Sequence, residues 1–144
     1  MIRVATVADA PALLALWERA HSTPSHTDNV AAVTRVIEVP HAQVFVAVGS
    51  DGDGLIGSLI ATFDGWRGNV YRMAVDPEHR RQGIALELVA RARAWFEAVG
   101  ARRVTALVEG DRSVAQAFWS AAGFEWQDGM RRYVMTLRTI PSDG

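Results

Sequence analysis

The sequence of 144 residues contains no cysteine, and all 15 of its basic residues are arginine, so lysine is absent as well. Without cysteine there are no disulfides, no cysteine nucleophile and no thiolate metal site. Without lysine there is no Schiff-base lysine and no Walker-type phosphate-binding lysine. These absences remove several common classes of catalytic and nucleotide-binding site before any motif is considered.

The sequence also lacks a charge surplus and a long apolar run. A formal net charge of −1 argues against a general nucleic-acid binder. No stretch approaches the roughly 18 apolar residues of a membrane span, and Arg3 and Asp9 interrupt the N-terminus before a signal-peptide core could form. We therefore expect one cytoplasmic domain over residues 1–144, with no nucleic-acid or membrane partner.

Apolar periodicity predicts a mixed α/β sheet of about seven strands in the order β-α-α-β-β-β-α-β-α-β-β. The expected strands are 2–5, 43–48, 55–62, 69–75, 104–108, 124–127 and 132–137. The expected helices are 9–20, a second one capped by Thr27 or Asp28 and ending before Pro40, a third from Ile84 to Val99, and a fourth over 113–121.

The junction between the 69–75 strand and the next helix, VDPEHRRQGIALELV at 75–89, concentrates positive charge before a glycine. A helix N-terminus presents unpaired N–H groups and a partial positive charge. If Gly83 opens the helix, the amides around it can converge on a phosphate, and Arg80 and Arg81 add charge. The residues alone indicate either a pyrophosphate pocket or a solvated basic turn with a glycine cap.

The pattern Arg80-x-x-Gly83-x-Ala85, behind a strand ending in Val75-Asp-Pro, closely resembles the acyl-CoA-binding motif of the GNAT superfamily of N-acyltransferases. The stretch AQAFWSAAGF at 115–124 is similar to the family's fourth helix and its Gly-Phe exit. The resemblance extends over nearly the whole chain, since the predicted element order also matches that fold.

This resemblance implies acetyl-CoA as cosubstrate and no metal. It implies that the amides of the Arg81 to Leu86 loop hold the CoA pyrophosphate, and that backbone groups around a fourth-strand bulge pair with the pantetheine arm in a slot between splayed fourth and fifth strands. For Met73 and Val75, core packing explains the residues equally well. The expected cofactor-binding residues are Met73, Ala74, Val75, Arg80, Arg81, Gln82, Gly83, Ile84, Ala85, Leu86, Arg112 and Trp119.

Two positions depart from the family pattern. Arg112 stands where the family commonly has Asn, and Trp119 stands where many members use a Tyr hydroxyl to protonate the leaving thiolate. An indole N–H is no acid near neutral pH, so we expect Trp119 to pack against the pantetheine or the core. Arg112 either reaches a cofactor phosphate or begins a solvated helix.

The sequence does not identify a single general base. Some relatives place a Glu early in the fourth strand, where this chain has Asn69, which could only orient a water. The other candidates are Glu109 and Asp64, with His21 and His26 behind them. Each has a plain structural alternative, namely a strand end for Glu109, a turn for Asp64 and an exposed surface position for the histidines. A water chain with no dedicated base is a further alternative.

The expected activity is acetyl transfer from acetyl-CoA to an amine acceptor by direct attack. The alternatives are a non-catalytic acyl-CoA sensor of the same fold, and an O-acyltransferase or a longer acyl donor. Aromatic and histidine side chains are expected either to line the acceptor site or to build the core and a homodimer face. These are Trp17, His21, His26, Trp66, Tyr71, Trp126 and Tyr133.

Overall fold

The computed structural model describes residues 1–50, 52, 54–107 and 112–137. The strands are β1 (Ile2–Val4), β2 (Ala42–Val48), β3 (Leu55–Phe63), β4 (Gly68–Val75) and β5 (Val104–Ala106). The helices are α1 (Ala10–Arg19), α2 (Val30–Glu38), α3 (Ile84–Val99) and α4 (Arg112–Ala121). No described helix is long and apolar enough to cross a membrane.

The described strands form one five-stranded sheet in the order β1-β2-β3-β4-β5. The first four pair antiparallel, and β4 pairs with β5 in parallel, so the sheet is mixed as the sequence predicts. Helices cover both faces of this sheet, which explains why β2 and β3 are almost continuously apolar rather than alternating.

Two hydrophobic clusters hold the helices to the sheet, one on each face. On one face Leu13, Leu16 and Trp17 of α1 pack with Val33 of α2 against inward-facing residues of the strands. On the other face α3 contributes the apolar side chains Ile84, Leu88, Val89, Ala92 and Phe96. The sheet is therefore the middle layer of three.

Two glycines let α3 lie close to the sheet. A Cβ at Gly57 would stand 2.9 Å from Ile84 Cγ2, and a Cβ at Gly68 would stand 2.5 Å from Phe96 Cε1. Gly57 therefore accommodates the first turn of α3, and Gly68 accommodates its last turns. Both ends of the helix are fixed against the sheet by a position where a side chain would clash.

Two sequence predictions differ from the structure. The prediction of about seven strands is not confirmed, because residues 124–137 contain a turn at Asp128 and Gly129 but no strand. The side chains of residues 125–137 are exposed, up to 98% for Tyr133, and the half-buried Phe124 packs on Trp119, so no sheet packing favours an extended ladder there. Asn29, not Thr27 or Asp28, caps α2: its side chain accepts a hydrogen bond from the Ala32 N–H at 2.9 Å.

Candidate active site

The N-terminus of α3 is open. Gly83 is its N-cap residue, with φ of +77°, and no side chain caps the helix. The first backbone hydrogen bond within the helix runs from the Glu87 N–H to the Gly83 carbonyl at 3.1 Å, so the amides of the three preceding residues have no helical acceptor. A Cβ at Gly83 would meet no atom within 4 Å, so the space beside this N-cap residue is free.

The loop before α3 adds cations to this end of the helix. Arg80 and Arg81 are exposed, and Arg81 has a left-handed backbone with φ of +66°. Successive N–H groups in such alternating conformations form concave anion-binding surfaces. The local geometry therefore supports binding of a phosphate group through backbone amides with two guanidinium groups nearby.

Asp76 anchors the start of this loop. Its Oδ1 accepts the Glu78 N–H at 2.9 Å, and its Oδ2 accepts the Arg19 Nε–H at 3.0 Å. The same guanidinium donates to the Leu55 carbonyl at 3.0 Å. The Glu78 amide, followed by Arg19, lowers the pKa of the buried Asp76 carboxyl, so it stays ionised and ties the loop to α1 and β3.

The outer edge of β4 opens partway along its length. Within the described residues, β4 and β5 pair from Gly68 with Val104 to Val70 with Ala106, and the ladder ends there while β4 continues to Val75. The Asp76 N–H donates to the Ile56 carbonyl at 2.8 Å. Because backbone groups alternate along a strand, Val75 directs its N–H and C=O away from β3, toward the β5 side.

A β-bulge lies in β4 where this edge opens. Ser58 pairs with Ala74 but Ile60 pairs with Tyr71, so β4 carries one extra residue opposite β3. Arg72 takes up the bulge with a left-handed φ of +49°, which is uncommon for a non-glycine residue. The bulge lies where the resemblance implies it, between Tyr71 and Ala74.

Buried polar groups fix the bulge from the α1 face of the sheet. The Ser58 hydroxyl donates to the Arg72 carbonyl at 2.7 Å and accepts the Trp17 indole N–H at 2.9 Å. The Arg72 guanidinium donates to Asp28 Oδ1 at 2.8 Å and lies 5.2 Å from the centroid of the Trp17 ring. The bulge is therefore connected to α1, to β3 and to the connection between α1 and α2.

Sequence reasoning did not single out Ser58 or Arg72, and it considered Asp28 only as a helix cap. The available signals were a serine within the apolar run LIGSLIATF and an arginine within the strand GNVYRMAV. A polar residue inside a buried strand needs a partner, but its partners lie 14 to 44 residues away in the chain. The sequence therefore indicates that a polar network exists but does not identify the residues that form it.

The structure places two of the predicted candidates, Asp64 and Asn69, before the bulge. Asp64 lies in the turn before β4, where its Oδ1 accepts the N–H groups of Trp66 and Arg67, each at 2.8 Å. These two amides, Arg67 first, lower the pKa of the exposed Asp64 carboxyl. Asn69 pairs with Thr62 and Thr105 at the start of β4, three residues before Arg72. Glu109 lies outside the described residues.

The two departures from the family pattern lie in α4. Trp119 is half-buried and packs edge-to-face between Phe118 and Phe124, with ring centroids 5.1 and 5.0 Å apart. These rings pack against the α3 side of the core, in agreement with core packing as one of the two expectations for Trp119. Arg112 begins α4, and its side chain lies outside what the structure describes.

The aromatic residues proposed for an acceptor site fall into different environments. Trp17 is buried in the core, whereas Tyr71 beside the bulge is 39% exposed. Trp66, Trp126 and Tyr133 are exposed and lie in turns or in the segment after α4. His21 and His26 lie in the α1–α2 connection (residues 20–29), which also carries Asp28. Of these residues, Tyr71 is adjacent to Arg72 in the sequence. His21 and His26 belong to the connection that Asp28 links to Arg72.

Comparison with known proteins places these features in a family context. The model of the acetyltransferase (GNAT) family matches residues 10–124. An acetyltransferase of Sodalis glossinidius is 27% identical over 129 residues, which cover 90% of this chain and 89% of that protein. An acetyltransferase of Yersinia enterocolitica is 25% identical over 127 residues, which cover 88% of this chain and 89% of that protein.

Solved structures share the fold. Aminoglycoside N-acetyltransferase AAC(6')-Iy, in complex with the bisubstrate analogue CoA-S-monomethyl-acetylneamine, aligns with a TM-score of 0.77 at 18% identity, covering 95% of this chain and 98% of that chain. The aminoglycoside acetyltransferase meta-AAC0020, from an uncultured soil metagenomic sample and in complex with sisomicin, aligns with a TM-score of 0.76 at 18% identity, covering 96% of each chain. At these identities the likeness concerns the fold.

Proposed function

The chain belongs to the acetyltransferase (GNAT) family, and we propose that it is an N-acetyltransferase in which an amine directly attacks the thioester of bound acetyl-CoA. Family membership makes it an acetyl-CoA-dependent acyltransferase. The amine acceptor, the direct mechanism and a single catalytic domain over residues 1–144 are our proposal.

One observation carries the proposal: the uncapped N-terminus of α3 follows, through the loop 76–83, the part of β4 that extends beyond its described ladder with β5. The described residues fit CoA, because free amides, open space at Gly83 and two exposed arginines suit a pyrophosphate. The outward N–H and C=O of Val75 suit an amide-rich pantetheine arm. Under this proposal Arg80 to Leu86 bind the phosphates, and Met73 to Val75 bind the arm through their backbone.

Bound acetyl-CoA supplies an activated acyl group and a thiolate leaving group. The chain positions this thioester at the β4 bulge, where the backbone departs from the regular ladder and presents polar groups to the slot. The acceptor nitrogen forms a bond to the acyl carbon as the carbon–sulfur bond breaks. The proton lost by the nitrogen balances the proton gained by the sulfur, so the products are an N-acetyl amine and CoA.

We propose Glu109 as the group that receives the amine proton, with Asp64 as the alternative base and Asn69 as a residue that orients a water. In the sequence Glu109 follows the last residue of β5 by three positions, and β5 is the strand that pairs with β4. Asp64 is less suited, since two backbone amides stabilise its ionised form and lower its affinity for a proton. Trp119 donates no proton, so solvent in the open slot protonates the thiolate.

A thiol-release assay tests the proposal. Full-length protein is incubated with acetyl-CoA and one of four amines: sisomicin, spermidine, lysine or a short peptide with a free N-terminus. We expect amine-dependent CoA release above hydrolysis, with an acetylated product identified by mass. Release without N-acetyl product, or CoA binding without release for any amine, would reject the proposal in favour of an O-acyltransferase or a sensor.

The base is tested with the best amine from that panel. We expect Glu109→Gln to lower kcat about 100-fold at neutral pH and to leave the Kd for CoA unchanged. Asp64→Asn and Asn69→Ala are matched comparisons at the other candidate positions. An unchanged pH–rate profile for Glu109→Gln would assign the proton transfer to another group or to a water chain.

A further inference from the structure

We propose that Arg72 is a positioning residue for acyl transfer, because its backbone forms the β4 bulge while its guanidinium holds the α1–α2 connection beside that bulge. This inference rests on the proposed function for its catalytic meaning, and its structural part is independent of it. The connection then forms a wall of the acceptor site. Asp28 and Ser58 are the two side chains through which Arg72 acts.

The backbone of Arg72 is held in an unfavourable conformation by a buried contact. A left-handed φ of +49° is strained for a residue with a long side chain. Such strain persists where the surrounding structure determines it and concentrates at functional sites. Here the Ser58 hydroxyl bonds the Arg72 carbonyl at 2.7 Å, and both Ser58 and its own partner Trp17 are buried.

The side chain of Arg72 makes a second, separate connection. Its ion pair with Asp28 is 2.8 Å long, and the two side chains are only 17% and 22% exposed. Arg72 also stacks over Trp17 at 5.2 Å, a contact that strengthens as water is excluded. Breaking a pair shielded to this degree costs more than breaking an exposed one, because the remaining charge loses its partner in a poorly solvated place.

Asp28 also forms hydrogen bonds within the α1–α2 connection. Its Oδ1 accepts from Arg72, while its Oδ2 accepts the Ser25 N–H at 3.1 Å and its own N–H donates to the Ser25 carbonyl at 3.0 Å. One carboxylate therefore shapes the turn containing His26 and fixes that turn to β4. The segment between α1 and α2 is attached to the bulge by a side chain of the bulge itself.

The ion pair of Arg72 with Asp28 and the hydrogen bond of the Arg72 carbonyl with Ser58 can be tested separately. Asp28→Asn keeps the shape of the side chain and removes its charge, whereas Ser58→Ala removes the hydroxyl that holds the Arg72 carbonyl. Asp9→Asn is the matched control, since Asp9 pairs with Arg3 at 2.7 Å but lies at the opposite end of α1 from the connection. Arg72→Lys retains the positive charge and serves as the conservative variant.

Hydrogen–deuterium exchange on the full chain measures the attachment without any substrate. We expect Asp28→Asn to raise exchange of residues 20–29 about tenfold, Arg72→Lys to raise it less, and Ser58→Ala and Asp9→Asn to leave it unchanged. With the best amine of the thiol-release panel, we expect Asp28→Asn to raise the KM for the amine about tenfold and Ser58→Ala to lower kcat by a similar factor.

Unchanged exchange in a folded Asp28→Asn variant would overturn the attachment, whatever the activity of the protein. Faster exchange combined with unchanged KM and kcat would overturn the positioning role. A wild-type protein that binds CoA but releases none with any amine would contradict the proposed function instead, and the exchange result would still decide the attachment. Equal effects of Asp28→Asn and Asp9→Asn on KM would also reject the proposal.

Discussion

The two halves of the candidate cofactor site are built in opposite ways. At the N-terminus of α3 the cap residue is a glycine with free space beside it, and no side chain caps the helix. At the β4 bulge the backbone is held by buried side chains from α1 and β3. An anion site needs unoccupied donors, whereas a site that orients a reacting carbonyl needs a backbone that does not move.

The open end gives the largest expected effect. Gly83→Asp introduces a negative charge where we expect a phosphate and forces a non-glycine residue to a φ of +77°. We expect the Kd for CoA, measured by calorimetric titration, to rise about 100-fold, or about 2.7 kcal/mol. Gly83→Asn separates the charge from the shape and should have a smaller effect.

Gly100→Asp is the control for that experiment. Gly100 caps the other end of α3 with a φ of +88° and free space around it, so the same strain and charge are added away from the anion loop. We expect this variant to bind CoA as the wild type does. Equal weakening by the two variants would show that the effect comes from damage to α3 and not from the anion site.

A change at the β4 bulge is expected to have an intermediate effect, and this effect is on the stability of the fold. Trp17→Phe keeps an aromatic ring in the core but removes the N–H that bonds Ser58 at 2.9 Å. We expect the free energy of unfolding, measured in urea, to fall by about 1.5 kcal/mol, with CoA affinity within about twofold of the wild type. A loss of CoA affinity as large as that of Gly83→Asp would remove the distinction between the two halves.

An ion pair outside both halves gives the smallest effect. The Arg3 guanidinium lowers the pKa of Asp9 to about 2, below the value of about 3.9 in an unfolded chain. The pair therefore stabilises the fold above about pH 4, and its contribution is lost as the pH falls toward about 2. Since Arg3 is partly exposed, we expect Asp9→Asn to cost about 1 kcal/mol at neutral pH.

Urea unfolding of wild type and Asp9→Asn across the acid range measures this contribution. The difference between the two proteins should shrink as the pH falls and vanish near the folded-state pKa. A difference that stays constant with pH would assign the stabilisation to the shape of the Asp9 side chain and not to its charge. It would also weaken the use of Asp9→Asn as a reference for Asp28→Asn.

The open half could be predicted from the sequence because its determinants are local. Arg80, Arg81 and Gly83 lie within four positions of each other, and a glycine before an amphipathic run is a direct sign of an uncapped helix start. The structure confirms α3 as Ile84–Val99, with Gly100 as its C-cap. These residues alone left a phosphate loop and a solvated basic turn as alternatives, and the resemblance over the wider chain favoured the phosphate loop.

The held half could not be predicted, since it depends on contacts between distant residues. Arg72 bonds Asp28 across 44 positions, and Trp17 bonds Ser58 across 41. The sequence left Trp17 either in the acceptor site or in the core, and it gave no means of finding the partner of the indole N–H. The last two predicted strands are not confirmed for a related reason: alternation in 124–137 suits a strand, but the described side chains of 125–137 are exposed and Phe124 packs on Trp119.

The close contacts at Gly57 and Gly68 together fix the orientation of α3 as a rigid body. The helix has 16 residues, so it is about 24 Å long, and its far end rests on Gly68 through Phe96. A side chain added at Gly68 would push that end outward and swing the opposite end about the contact at Gly57. The direction of the N–H groups at the start of α3 therefore depends on Gly68, which contacts the helix nearly one helix length away. A search for mutations that alter the affinity for CoA should include that distant end.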